Sequence, residues 1–333
     1  MTEVIRLGLP KGSLNTPGRG DTRQVFKDAG YEISGYESGK ESSQPSIVND
    51  PEIVTFLTRP QDSPIDLSRR LYDIAITGAD WVAEERVNGG QYINQIGDLE
   101  YGRTRLVIAV AEESEYKSLS DLFRILKGRT ETNPILCYTE YVNLAARAFS
   151  ENEGYRRFFG VGAPFIQYQG LIREGNQRVQ ILGSKGATEV KIAMGADIIV
   201  DNSQSGDSLK KNHLRELGEI MVSSAGLYAG PSCVGWKERK AEEIYRKLHG
   251  AVIAKKYVDV KFNIPIGNIE QVSAFLVAQG LCADEPTIVR GEKYAQVNIL
   301  VPRSTYPAME ERLRATDYGA SSLIQAEIKQ FIR

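Results

Sequence analysis

Residues 198–209, Ile-Ile-Val-Asp-Asn-Ser-Gln-Ser-Gly-Asp-Ser-Leu, constrain this 333-residue chain more than any other stretch. A short apolar run ends on an aspartate, a hydroxyl-rich loop with one glycine follows, and a helix is expected from Leu209-Lys210-Lys211. Such a strand–loop–helix leaves the first N–H groups of the helix without internal partners and open to an anion. Ser205 and Ser208 add hydroxyl donors, and Gly206 lets a phosphate approach the backbone closely. Asp201, at the strand end, is placed to accept hydrogen bonds from sugar hydroxyls. Phosphate donors beside a sugar acceptor suit a phosphorylated ribose. An ordinary capped turn fits the same residues, because Ser and Asp are common helix caps.

The same alternation runs through the chain. Strands are predicted at 4–9, 71–77, 105–111 and 135–137, and helices at 22–29, from Gly78, at 117–127 and at 140–149. Strands alternating with helices predict an α/β class with largely parallel sheets. Residues 151–180 are aromatic and irregular, and no element is predicted there. After a helix at 241–256 the rhythm changes. Strands at 258–262, 287–290, 295–302 and 321–328, with helices at 268–279 and 306–316, read as β-α-β-β-α-β, a ferredoxin-like unit suited to regulation or assembly.

Composition narrows the function. A chain of this length is expected to hold two or three domains. The net charge of −2, from 41 basic and 43 acidic residues, gives no global attraction to nucleic acid or an anionic membrane. An anionic ligand must therefore be held by local cations and backbone amides. Three scattered cysteines (Cys137, Cys233 and Cys282) fit a reducing, cytoplasmic setting and offer no metal-site spacing. Only His213 and His249 are present, which disfavours histidine-based triads or metal chemistry. Met-Thr-Glu-Val-Ile-Arg leads straight into a strand with no expected secretory leader, and no apolar run approaches membrane-spanning length.

Further motifs join the loop in order along the chain. Leu9-Pro10-Lys11-Gly12-Ser13-Leu14 is a strand end with a lysine and a glycine; Arg59-Pro60-Gln61-Asp62 follows. Thr77-Gly78-Ala79-Asp80 opens a helix with a carboxylate, and Tyr101-Gly102-Arg103-Thr104-Arg105 brings two arginines to a strand start. Thr139-Glu140-Tyr141-Val142-Asn143 and Lys185-Gly186-Ala187-Thr188-Glu189 complete the series. This succession, with Gly319-Ala320-Ser321-Ser322-Leu323 near the C-terminus, resembles the long form of the ATP phosphoribosyltransferase family.

The resemblance implies a two-lobed catalytic core, like that of a periplasmic binding protein, with the substrates in the cleft. Residues 1–106 with 222–250 would form one lobe, 107–221 the other, and 254–333 the ferredoxin-like regulatory domain. It implies transfer of the phosphoribosyl group of phosphoribosyl pyrophosphate to N1 of ATP, the first step of histidine biosynthesis. Magnesium would be carried mainly by the substrate phosphates, with no protein metal site and no covalent nucleophile. AMP and histidine are candidate inhibitors, and a homohexamer built from dimers is the implied assembly. A catalytically silent ATP- or AMP-binding regulatory homologue is the alternative.

Carried onto this chain, Asp201, Ser205, Gly206, Asp207, Ser208 and Leu209 would hold the ribose and its 5′-phosphate. Asp207 is expected to turn its carboxylate to water. Lys11, Gly12, Arg59, Gly78, Asp80, Arg103, Arg105, Thr139 and Tyr141 would serve ATP or pyrophosphate, since arginine's planar fork matches phosphate. Glu189 would either brace the loop or touch substrate. Ser13 stands where the family usually has arginine, and Arg19 is a candidate substitute. Lys261 and Thr287 mark the candidate regulatory site, with Lys261 unsuited to an amino-acid ammonium group.

Overall fold

The computed structural model describes residues 3–89, 92–280, 286–315 and 321–327. It divides into two compact units, Met1–Arg23 with Ile33–Glu242, and Gln24–Glu32 with Glu243–Arg333.

The first unit is α/β and contains two seven-stranded sheets. At the centre of the first, Ile5–Pro10 runs parallel to Ile53–Thr58 and to Ile74–Gly78. Every residue of Ile74–Gly78 is buried, as expected for a strand covered on both faces. The chain leaves this sheet after Asn94–Asp98 and returns as Ala225–Ala229, which pairs antiparallel with both Ile74–Gly78 and Asn94–Asp98.

The second sheet has a parallel centre of Pro164–Tyr168, Asn176–Gly183, Ile135–Thr139 and Ile198–Ser203. Thr104–Ala111 joins antiparallel beside Ile198–Ser203, followed by Leu214–Ser223. Both sheets are therefore mixed, where largely parallel ones were expected. Returning strands such as Leu214–Ser223 carry polar and half-exposed residues and escape an apolar-run criterion.

Residues 151–180, for which no element was predicted, form the helix Glu153–Phe159, a hairpin of Pro164–Tyr168 and Leu171–Arg173, and the start of Asn176–Gly183. The aromatics fill the core: Phe123 meets Phe149, Tyr155 and Phe159 edge-on at centroid distances of 5.3–5.7 Å.

The second unit holds a four-stranded antiparallel sheet in the order Thr287–Arg290, Tyr294–Pro302, Tyr257–Pro265, Ser321–Glu327. Ile269–Ala278 and Tyr306–Ala315 are its helices. Val258, Val260, Phe262 and Ile264 alternate inward, as do Ala295, Val297, Ile299 and Val301, and this face packs on Ile269, Val272, Leu276 and Met309. Cys282, Glu285, Gly319 and Ala320 lie outside the described residues. Among the described residues no helix is long and apolar enough to cross a membrane.

Candidate functional site

Ile198, Ile199 and Val200 are fully buried between neighbouring strands, so the chain emerges into solvent only at Asp201. It then turns through Gln204-Ser205 to Gly206, whose φ of +81° is a left-handed conformation that glycine adopts without steric cost. The helix Asp207–Lys211 begins at once, two residues earlier than the sequence suggested. The turn and the first residues of this helix line a cavity of about 580 Å³, together with Asp201, Gly78, Asp80, Arg103 and Glu189.

Asp201 is held by burial well above the usual carboxylate range, at about 6. The amide of Asn202, donating at 2.7 Å, partly offsets this, while the charges of Glu189 and Glu140 reinforce it. At neutral pH it remains mostly ionised and able to accept hydrogen bonds. Asp207 is exposed, as expected, but it does not simply face water. Its carboxylate accepts the Ser205 hydroxyl at 2.8 Å, and Ser205 Oγ also lies 3.4 Å from the Asp207 amide. The Ser205 donor is thereby turned along the loop, while Ser208 stands on the cavity wall.

Asp80 is the other organising residue. It follows Gly78, the N-cap of helix Ala79–Val87. A Cβ on Gly78 would lie 2.1 Å from Asp80 Oδ1, so glycine leaves the room in which the Asp80 carboxylate sits. The Asp80 carboxylate is only 2% exposed. It accepts from Ser223 Oγ at 2.6 Å, Tyr141 Oη at 2.5 Å and Asn202 Nδ2 at 3.2 Å. Tyr141 stacks on Trp81 with centroids 4.1 Å apart. One helix turn later, Glu84 accepts from the amides of Asn143 and Leu144 and from Asn143 Nδ2, each at 2.8 Å. Helix Ala79–Val87 follows a first-sheet strand and helix Val142–Glu151 a second-sheet strand, so these two carboxylates tie the sheets together, Asp80 at the cavity wall and Glu84 away from it.

Three sequence candidates stand elsewhere than expected. Arg105 does not line the cavity: Glu216, on the adjacent antiparallel strand, takes both its terminal nitrogens at 2.7 Å, with Glu219 at 3.6 Å. Thr139 and Tyr141 are buried rather than lining it. Thr139 Oγ1 accepts the Tyr141 amide at 2.8 Å, and Tyr141 reaches the site only through Asp80. Lys11, Gly12 and Arg59 line a neighbouring cavity of about 550 Å³ with Glu41 and Gln61. The two cavities share Ser13, Pro60, Trp81 and Asn202. Trp81, Asn202, Ser223 and Glu84 escaped the sequence reading. Asn202 adjoins Asp201 and Trp81 adjoins Asp80, so proximity to a candidate was their only signal.

A strand-end carboxylate, a glycine turn and helix-start amides around one cavity define an α/β protein suited to a phosphorylated sugar. Residues 59–250 match the family model described as ATP phosphoribosyltransferase. An ATP phosphoribosyltransferase of Pelotomaculum thermopropionicum is 33% identical over 98% of this chain and 99% of its own length. One of Desulforudis audaxviator is 32% identical over 82% of each. Among solved structures, the ATP phosphoribosyl transferase (HisG:HisZ) complex from Thermotoga maritima has a TM-score of 0.53 at 21% identity, covering 75% of this chain and 99% of that one, a likeness of fold. The chain belongs to the ATP phosphoribosyltransferase family.

Proposed function

We propose that the protein transfers the phosphoribosyl group of phosphoribosyl pyrophosphate to N1 of ATP, releasing pyrophosphate, as the first step of histidine biosynthesis. The observation that carries this reading is the placement of Asp201, the Gly206 turn and the first residues of helix Asp207–Lys211 on one cavity wall. Asp201 accepts from the ribose hydroxyls, and the loop takes the 5′-phosphate. As the bond from C1 to pyrophosphate breaks, its electron pair leaves with pyrophosphate. The adenine N1 lone pair closes on the opposite face of C1. The protein's part is positioning and charge stabilisation, which needs no covalent nucleophile. Lys11 and Arg59 in the adjoining cavity serve the ATP phosphates, and Trp81, on the shared wall, offers an aromatic face to adenine.

Magnesium enters with the substrate phosphates. Among the described residues no group of three or more His, Cys, Asp or Glu side chains could hold a metal alone, whereas Asp201 and Glu189 are wall carboxylates of the kind that assist a phosphate-bound magnesium. Mixing protein, ATP, magnesium and phosphoribosyl pyrophosphate should yield phosphoribosyl-ATP and pyrophosphate. A folded protein that binds ATP without any turnover would favour a silent regulatory homologue instead.

The two large sheets are read as catalytic lobes of the periplasmic-binding-protein type, 1–106 with 222–250 and 107–221. The four-stranded unit, 254–333, is read as a ferredoxin-like regulatory domain, and the working form as a cytoplasmic homohexamer built from dimers. Histidine, with AMP, is the proposed feedback ligand. Lys261 is paired with Asp259 at 3.1 Å, which tempers its repulsion of an ammonium group. Heat released on calorimetric titration with histidine supports this regulation, and none at millimolar concentration removes it.

A further inference from the structure

Helix Ala79–Val87 makes polar contacts with the second sheet's side at points spaced along its length. Asp80 takes the hydroxyl of Ser223, the last residue of strand Leu214–Ser223, where the chain crosses from the second sheet back to the first. Glu84 holds the start of helix Val142–Glu151 one turn on. Farther still is Asn88, the exposed residue that ends the helix. Its side-chain oxygen accepts from Arg173 Nη2, while Arg173 Nη1 donates to Asn143 Oδ1 at 2.7 Å. Asn143 carries the contact inward, giving its own Nδ2 to Glu84 Oε1 at 2.8 Å. Asn88 also hydrogen-bonds Glu85, which steadies it.

Arg173 is delivered by a rigid hairpin. Pro164–Tyr168 and Leu171–Arg173 pair antiparallel across Gln169-Gly170, whose left-handed φ values of +49° and +84° suit a tight two-residue turn. Tyr168 packs over Gly183, where a Cβ would lie 1.7 Å from Tyr168 Cδ2. Leu171 and Ile172 stay half exposed at the sheet edge, so apolar burial does little to hold this strand. The Arg173 fork joins it to both helices.

We propose that Arg173 is a positioning residue, the outer clasp of a latch that sets how far the two sheets close on the Asp201–Leu209 cavity. Asp80 sits beside the strand crossing, and Asn88 lies two helical turns further along, about 12 Å at the helical rise. A turn of the sheets by about 10° about the crossing moves Asn88 by about 2 Å, enough to break a hydrogen bond, while Asp80 scarcely shifts. The cavity takes Gly78 and Asp80 from one side and Asp201–Leu209 from the other, so a ligand there feels that turn. Among the described residues, the neighbouring cavity takes only Asn202 from the second sheet and is less sensitive. The kinetic consequence rests on the phosphoribosyl-transfer reading above; the latch itself does not.

Arg173→Ala tests it. The KM for phosphoribosyl pyrophosphate should rise about three- to tenfold, because the closed form that binds it is less populated, and the KM for ATP should rise less. The kcat should hold or rise, since no reacting group is touched and opening eases product release. A merely structural loss would lower kcat and leave the KM values alone. Asn88→Ala, at an exposed position, should give the same change and stands in should Arg173→Ala fold poorly. Joining the two substitutions should add nothing, because both remove one bond, and Arg173→Lys should recover part of each effect. Trp81 stacks on Tyr141 at the head of helix Val142–Glu151, so opening uncovers it. Its acrylamide quenching, read in a Trp236→Phe background, should increase in either variant whether or not the protein turns over. Unchanged quenching, additive effects of the two substitutions, or a loss of kcat with KM intact overturns the latch. An inactive wild type overturns the parent reading alone, and the quenching still decides the latch.

Discussion

Asp80→Ala is expected to destabilise the two-sheet unit by about 2–4 kcal/mol, the cost of leaving buried polar groups without their shared partner. Tyr141 Oη and Ser223 Oγ, which converge on Asp80 from the second sheet's side, are then left without an acceptor in low-dielectric surroundings. Asn202 is exposed and rehydrates, which holds the loss below that of a fully sealed network. Thermal denaturation should show a melting temperature roughly 5–12 °C lower. Phosphoribosyl transfer should fall as well, because Asp80 lies on the cavity wall and orients Asn202 beside Asp201. Asp80→Asn, which keeps one carbonyl acceptor, should fall between wild type and alanine. A wild-type melting temperature in Asp80→Ala would show that the carboxylate does not hold the sheets together.

Glu84 gives the second large effect, and its sign depends on pH. Burial raises its pKa from 4.5 to about 7, against the opposing pull of the amides of Asn143 and Leu144, the Asn143 side chain and the Arg173 charge. An acid with a raised folded-state pKa keeps its proton in the folded chain after the unfolded chain has lost it. Its contribution is therefore fully present below about pH 4.5 and is lost as pH rises through about 7, on the order of 3 kcal/mol across that window. Denaturant unfolding of wild type and Glu84→Gln at several pH values should diverge by that slope, since glutamine does not titrate. Glu84→Ala should cost about 2–4 kcal/mol, most at low pH and least above about pH 7, because it removes the acceptor for three donors at the start of helix Val142–Glu151. Parallel pH curves for wild type and Glu84→Gln would contradict the buried, titrating carboxylate.

The loop at 198–209 was legible because its signals are local: an apolar run, a glycine needing a left-handed turn, and a helix start within twelve residues. The α/β class and the β-α-β-β-α-β order were legible for the same reason. The fate of each charged residue was not. Arg105 and Arg103 differ by two positions, yet one is captured by Glu216, which lies 111 residues downstream, and the other stands on the cavity wall. Tyr141 read as a substrate residue but serves as a buried donor to Asp80, 61 residues away. The Asp80 cluster gathers Ser223, Asn202 and Tyr141 from separate elements, and no spacing rule reaches across such distances. Short or half-exposed strands such as Leu171–Arg173 lack the periodicity that marks buried ones.

The Asp201–Leu209 loop is proposed to hold the phosphoribosyl donor. Initial-rate kinetics of the Ser205→Ala, Ser208→Ala double variant test it most directly. The KM for phosphoribosyl pyrophosphate should rise about tenfold or more, the effect of losing the Ser208 hydroxyl from the phosphate's surroundings and the Ser205 hydroxyl that sets the loop, while the KM for ATP stays within about twofold. A rise confined to ATP, with the affinity for phosphoribosyl pyrophosphate intact, would contradict the assignment.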